Sequence, residues 1–259
     1  HKRTGIIAVL VPNVSNPFFA EFVDHVEAEL YKAGFKMMLC TTEKEFNAEL
    51  EYLDMLNRHI VDGVITGAHS LAVEEYKKIH KPIVALDRYL GEDIPVIAVN
   101  HKEGGRLAAE TLIQNGCRRV LHFRGKVTVE SPYHDRHFEF ARIMEEHGIQ
   151  TIDYELGRNR LDSEYYKKAV KDVFTRGIDF DGVFGVDRPV IECMNETIRR
   201  HRRVPEDVKF VAYDGTFITE MVEPPLTAIV QPIKELARES VRLVCNLVNG
   251  KVYKNKQVS

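Results

Sequence analysis

The chain has 259 residues, 44% hydrophobic and 29% charged, with Lys+Arg 36 against Asp+Glu 39 and a net charge of −3. That apolar share supports a packed core and excludes wholesale disorder, while the slightly acidic total argues against a chain whose main work is gripping phosphate backbone. No apolar run reaches the roughly 18 residues a membrane span requires, and no leader-like segment opens the chain. Cys40, Cys117, Cys193 and Cys245 stand far apart in apolar stretches, without zinc-type spacing. They read as buried free thiols in a reducing cytoplasm.

Short β-branched runs alternate with helical patterns. Ile6–Val11 is a continuous apolar run of strand length. Asn16 can cap the helix that follows, Pro17 suits its first turn, and Phe19, Phe22, Val23, Val26 and Leu30 form its apolar stripe. Gly34 stops that helix, and Phe35–Cys40 restarts a strand. Leu50, Leu53, Leu56 and Ile60 mark a second helix before the strand Gly63–Thr66. Leu71–His80 reads as helical and Ile83–Leu86 as a strand. Beyond these, the helices are expected at Gly104–Asn115, His134–His147, Glu164–Arg176, Pro189–Arg200 and Ile233–Asn249. The strands between them are Val120–Phe123, Gly182–Gly185, Phe210–Tyr213 and Thr227–Val230. Alternation of this kind means parallel sheets with helices on both faces. The strands are too many for one comfortable sheet, so two α/β lobes are expected.

In such folds ligands bind at the carboxyl ends of the strands. Phe18-Phe19 follow the first strand, where a ring can face a ligand or simply pack against the next helix. Asp87-Arg88 follow the fourth strand, and Arg136 opens a helix, where its fork can clasp paired hydroxyls or a carboxylate. Asp187 and Asp214 stand at two further strand ends, and Gln231 near the last crossover. Planar donors, carboxylate acceptors and aromatic faces are what sugar recognition uses. Catalysis fits worse: no nucleophile elbow, P-loop, zinc-protease, kinase or dinucleotide motif is present. Asp187 and Asp214 can be read as an acid and a base, but binding or ion pairing is favoured, and no catalytic residue or cofactor is assigned.

Several segments together carry a family likeness: Thr4–Pro12, Ser15–Ala20, Val61–Ile65, Leu86–Arg88, Gly104–Ala109, Arg136 with Phe140, Asp181–Phe184, Val211–Gly215 and Pro225–Pro232. In this order and spacing the chain resembles the effector-binding core of the LacI/GalR family of bacterial transcription regulators. The resemblance implies a two-lobed, periplasmic-binding-protein-like α/β fold with parallel sheets flanked by helices and three crossover strands. One lobe would hold residues 1–104 and 232–259, the other 105–231.

By the same likeness Phe18, Phe19, Asp87, Arg136, Asp187, Asp214 and Gln231 fall at effector-contact positions. Asn159 stands where members often place an aromatic over the ligand, Glu139 replaces a usual glycine, and Asn100-His101 stands where Asp-Asn is commoner. The family's helix-turn-helix headpiece is expected to be absent, since His1-Lys-Arg-Thr4 runs straight into the first strand. The expected protein is a cytoplasmic, homodimeric, sugar-responsive repressor core. It would bind a small molecule between its lobes and meet operator DNA only through the missing domain. The alternative is a transporter's sugar-binding protein of the same fold.

Two further features have plainer readings. Arg199-Arg-His-Arg-Arg203 sits at a helix end, where the dipole favours cations. His134 and His137 share a helix face, but no third ligand is placed for a metal.

Overall fold

Apolar runs of four to six residues become most of the strands, and the amphipathic segments become the helices. Described residues of the computed structural model are 3–43, 47–68, 70–127, 130–157 and 163–252. In chain order the first elements are β1 (Ile6–Val11), α1 (Pro17–Lys32), β2 (Lys36–Thr41), α2 (Ala48–Asn57), β3 (Gly63–Thr66), α3 (Val73–Lys77), β4 (Ile83–Leu86) and β5 (Val96–Ile97). Then come α4 (His101–Gln114), β6 (Arg119–Gly125), α5 (Asp135–Glu146), β7 (Gln150–Leu156), α6 (Ser163–Thr175) and β8 (Gly182–Val186). The chain closes with α7 (Asp187–Arg199), β9 (Lys209–Asp214), β10 (Thr227–Val230) and α8 (Ile233–Val248).

Two units result. One comprises His1–Val99, Val129–Tyr133 and Pro232–Ser259, the other Asn100–Thr128 and His134–Gln231. Each holds one parallel five-stranded sheet, ordered β2-β1-β3-β4-β5 in the first and β10-β9-β8-β6-β7 in the second. This is the α/β architecture of periplasmic-binding-protein-like proteins. Among the described residues no helix is long and apolar enough to cross a membrane.

Period-two alternation sorts the strand side chains between two helix layers. Ile7, Val9 and Val11 of β1 pack with α1 and α8, whereas Ala8 and Leu10 face Leu53, Leu56 and Tyr76 on the other side. In the second unit Phe210 and Ala212 of β9 face α6 and α7. Val211 and Tyr213 face α4 and α5.

Helix α1 begins as its sequence requires: Asn16 Oδ1 accepts from Phe18 N at 3.0 Å. Its buried stripe contains Phe18 rather than Phe19, which is only half-buried. Helix α2 is shorter than its leucine pattern suggests. Leu50 is exposed, Ile60 lies beyond the helix and is exposed, and Glu49 is buried instead. Only Val73–Lys77 of the segment Leu71–His80 is helical, because Leu71 spends its backbone elsewhere: its N–H donates to Glu49 and its carbonyl accepts from Arg88. Strand β7, which was not expected, lacks an apolar run. It is an edge strand in which Ile152, Tyr154 and Leu156 alternate with Thr151, Asp153 and Glu155. The four cysteines are free thiols; Cys245 is half-buried and the other three are buried. Burial pushes the Cys40 thiol up to about 11.

Helices α4 and α5 pack closely, and glycine permits it. A Cβ on Gly105 would collide with the backbone carbonyl of Arg136, and one on Gly104 would stand 2.6 Å from the Tyr213 hydroxyl. Overpacking against backbone costs about 1–3 kcal/mol. Gly105→Ala is therefore expected to lower the midpoint of thermal unfolding by several degrees (about 2–4 °C per kcal/mol at this size), which differential scanning calorimetry measures. A surface control, Gly116→Ala, has open space for its Cβ but a φ of +77°, so its smaller loss separates backbone strain from collision.

Candidate functional site: a buried arginine at the strand ends of the second sheet

Strand β6 is the switch point of the second sheet, since β7 pairs on one side of it and β8 on the other. Asp187 follows β8, Asp214 ends β9 and Gln231 follows β10, so three of the expected residues stand at neighbouring carboxyl ends. Arg136, in the first turn of α5, is brought to them. Its residue is 2% exposed, its guanidinium lies 4.2 Å from the centroid of the Tyr213 ring, and its Nη1 is 3.6 Å from Asp214 Oδ1. Gln231 Nε2 donates to the same Asp214 oxygen at 2.7 Å, while Gln231 N donates to Asp214 O at 2.9 Å. The Gln231 Oε1 atom is buried and has no hydrogen-bond partner among the described residues. A buried amide oxygen of that kind is unfavourable until a donor reaches it.

Tyr213, expected only as a strand residue, is the ring on which the Arg136 guanidinium lies. His101 Nδ1 lies 2.9 Å from its hydroxyl, and the two rings stack. Strand alternation was the available signal, for it puts Tyr213 on the α4–α5 face with Val211. Asn100, the other unusual residue of that pair, caps α4 by accepting from Glu103 N at 3.1 Å. Glu139 pairs with Arg142 at 2.7 Å, and this guanidinium holds its carboxyl below the usual carboxylate value.

Asp187 is placed differently from a freely presented ligand acid. Its carboxylate accepts from Gly215 N (3.1 Å), Thr216 N (2.8 Å) and Thr216 Oγ1 (2.6 Å). It thereby holds the turn after β9, in which Asp214 has φ +112°. Non-glycine residues rarely adopt positive φ, and such strain needs surrounding bonds to hold it.

The remaining expected residues belong to the first unit. Asp87 follows β4 with φ +53°; its N–H donates to Ile97 O at 2.9 Å and its carbonyl accepts from Ser131 Oγ. Phe18 is a core residue, stacked on Phe22 and edge-on to Phe19. Phe19 borders Gly67 just past β3, where an added Cβ would be 3.1 Å from its ring. Asn159 lies outside the described residues.

Arg88 is a structural partner. It is buried, donates to the carbonyls of Ala68 and Leu71, and lies 3.6 Å from Glu49. Glu49 in turn accepts from Ser70 N, Ser70 Oγ and Leu71 N, and from the Tyr76 hydroxyl. Sequence periodicity missed Glu49, because a carboxylate on a buried helix face looks like a break in the stripe.

The second unit also buries two imidazoles. His122 Nδ1 lies 3.1 Å from Asp153 Oδ1, and His122 Nε2 lies 2.8 Å from His137 Nδ1. Burial pushes both histidines down, His137 well below its ordinary value, with the Arg136 charge adding to the effect at His137. Among the described residues no group of three His, Cys, Asp or Glu side chains can hold a metal ion. The basic run is a paired helix end: Arg199 and Arg200 bind Glu196, Arg202 donates to Phe180 O, and Arg203 binds Asp207.

Two parallel five-stranded sheets with polar side chains gathered at strand carboxyl ends place the chain in the periplasmic-binding-protein-like class. A family described as periplasmic binding protein-like domain matches residues 109–259. The ribose operon repressor of Halalkalibacterium halodurans is 34% identical over 97% of this chain and 75% of its own length. The sucrose operon repressor of Streptococcus mutans is 33% identical over 91% of this chain and 72% of its own. Among solved structures, a LacI transcriptional regulator from Alkaliphilus metalliredigens complexed with D-xylulofuranose superposes with TM-score 0.85 at 27% identity. It covers 98% of this chain and 95% of that one. A complex of the regulator CelR with cellobiose gives TM-score 0.86 at 25% identity, covering 99% and 82%. The chain belongs to the LacI/GalR family of transcriptional regulators, of which it is the effector-binding core.

Two outcomes are expected. Above about pH 6.5 both histidines are neutral in the folded and the unfolded chain. Below it the unfolded chain takes up protons that the folded one resists, so stability falls by up to about 1.4 kcal/mol per pH unit for each histidine. Thermal midpoints between pH 7.5 and 5 should drop accordingly, and less steeply in His137→Gln. Asp187→Asn sets an amide N–H against at least one donor of the 215–216 turn, costing about 1–3 kcal/mol. Urea unfolding measures that loss.

Proposed function

We propose that this chain is the effector-binding core of a carbohydrate-responsive transcriptional repressor. One observation carries the reading: the buried Arg136 guanidinium beside Asp214, at the carboxyl ends of a parallel sheet. Burying a charge in that setting is costly and adds little to stability, which favours a ligand-binding role. A forked donor, a carboxylate and a buried amide oxygen match the paired hydroxyls of a sugar.

The contacts we assign are Arg136, Asp214 and Gln231 in the second unit, with Asp187 shaping their turn. The first unit offers Phe19 and Asp87 at its own strand ends, with Phe18 seating Phe19, and Asn159 completes the set. The relatives named for ribose and sucrose operons and the sugar-bound neighbours support a mono- or disaccharide. Sugar phosphates and purines follow.

Effector binding would alter operator affinity through a helix-turn-helix domain; three relatives are named HTH-type regulators or repressors. A two-fold operator calls for a homodimer, and a regulator that meets the chromosome works in the cytoplasm. Binding without turnover is expected, with no catalytic residue or cofactor.

The test is a thermal-shift screen against D-ribose, sucrose, cellobiose, their phosphates and purine bases. A ligand at a hundredfold its Kd stabilises by about 2.7 kcal/mol, or roughly 5–10 °C at this size. The shift should vanish in Arg136→Ala, and the recovered ligand should be chemically unchanged. A panel without any shift withdraws the sugar assignment.

A further inference from the structure

The first unit buries a charged pair that the contacts assigned above do not use. Glu49 of α2 is 1% exposed, and Arg88, just past β4, is 2% exposed. Their charges stand 3.6 Å apart, Oε1 to Nη1. Glu49 Oε2 accepts from Ser70 N at 2.9 Å, from Leu71 N at 2.8 Å and from the Ser70 hydroxyl. Its Oε1 accepts from the Tyr76 hydroxyl. Arg88 grips the same segment by its carbonyls: Nη1 donates to Ala68 O at 3.2 Å and Nη2 to Leu71 O, with the guanidinium 5.8 Å from the centroid of the Tyr76 ring. The turn after β3 is thus held at its amides by an acid and at its carbonyls by a fork. Stability alone does not ask for this. A buried ion pair gains little over apolar side chains of the same volume, and Arg88 Nε is left buried without a hydrogen-bond partner among the described residues.

We propose that Glu49 and Arg88 are positioning residues for Asp87, locking its backbone in the conformation from which it serves the effector. Asp87 has φ +53°, which a non-glycine residue keeps only where its surroundings hold it. On the side of β4 and β5 the hold comes from the Asp87 N–H, which donates to Ile97 O at 2.9 Å, and from Ser131 Oγ, which donates to Asp87 O. Beyond Asp87 it comes from Arg88. While that guanidinium is fastened to the turn after β3, the peptide joining Asp87 to Arg88 cannot rotate back toward extended backbone. Glu49 secures the fastening, because a buried cation without its acid would leave the interior for water. The fork matters as much as the charge, since a single ammonium cannot span the Ala68 and Leu71 carbonyls together. An acid on α2 therefore acts on a turn it does not touch. The inference rests on Asp87 being an effector contact, and its test is arranged so that the two ideas can fail separately.

The first arm follows amide hydrogen exchange, residue by residue, in the ligand-free protein. Two variants loosen the lock. In Glu49→Gln, whichever way the amide turns, its NH2 meets donors: the Ser70 and Leu71 amides on one side, or Arg88 on the other. Arg88→Lys keeps a cation opposite Glu49 but loses the fork. Loss of one charge-assisted hydrogen bond predicts about tenfold faster exchange at the Asp87 N–H in each variant. The Val64 N–H, bound to Pro82 O at 2.9 Å, is the control and should keep its rate. An Asp87 rate that rises no more than the Val64 rate overturns the positioning role. Loss of folding in both variants also overturns it, for the pair is then a stability device only.

The second arm measures the affinity of the neutral sugar that gives the largest thermal shift, in a double-mutant cycle with Asp87→Gly. Glycine accepts the positive φ and removes only the carboxylate. Glu49→Gln, or Arg88→Lys in its place, should weaken binding about tenfold when Asp87 is present. In the Asp87→Gly background it should cost almost nothing more, since a residue that acts through Asp87 has nothing left to position. Equal losses in both backgrounds overturn the positioning role and leave the effector reading intact. No sugar binding by the unaltered protein, with Asp87 exchange still faster in the variants, sinks the effector reading and leaves the lock on the Asp87 turn standing.

Discussion

The second unit is organised around one expensive object, the buried guanidinium of Arg136. A desolvated cation needs compensation on every side, and here it comes from a ring face at 4.2 Å and a carboxylate at 3.6 Å. Each compensation imposes a demand on the fold. Tyr213 must lie flat beneath the cation, which its hydroxyl contact with His101 secures from α4. Helix α5 must then approach α4 until backbone nearly touches backbone, and only Gly104 and Gly105 leave room for that. The glycine pair, the histidine at the start of α4, the tyrosine of β9 and the arginine of α5 are four consequences of one buried charge.

A second constraint recurs at the strand ends. Asp87 and Asp214 both follow the last apolar residues of a strand, and both hold positive φ. Short polar side chains tolerate that region better than most, though still at a cost. At Asp214 the compensation is visible: Asp187 gathers three donors from the next two residues, and Gln231 binds both the backbone and the side chain. At Asp87 the backbone is held from β5 and from Ser131. A strained turn aims the carboxylate where a relaxed continuation of the strand would not.

This explains what could be read before the structure. Parallel-strand cores are apolar on both faces, so β1, β3, β4 and β8 stand out as short runs, and a charge just after such a run marks a carboxyl end. Asp87, Asp187 and Asp214 were visible for that reason. Strand β7 was not, since an edge strand keeps one face polar, and β5 is only two residues long. The division of labour among the acids was also hidden. Asp187 and Asp214 look alike in sequence, but one is saturated by turn amides while the other faces the arginine. Polar residues on buried faces were the commonest loss: Glu49 interrupts a leucine stripe and His122 sits inside the strand Arg119–Gly125, so each looks like noise in an apolar pattern.

Proximity within a single helical turn also ties the basicity of a buried histidine to the charge beside it. His134, Arg136 and His137 sit together, and the permanent charge of Arg136 makes His137 a weaker base. Linkage is reciprocal: whatever a ligand does to the field at Arg136, it must do to the proton affinity of His137, by the same free energy. A neutral sugar held there would leave the cation in place, and with it the low basicity of His137. An anion clasped by the same guanidinium would cancel part of that field and raise the proton affinity of His137, so the two kinds of ligand would differ in whether binding takes up a proton.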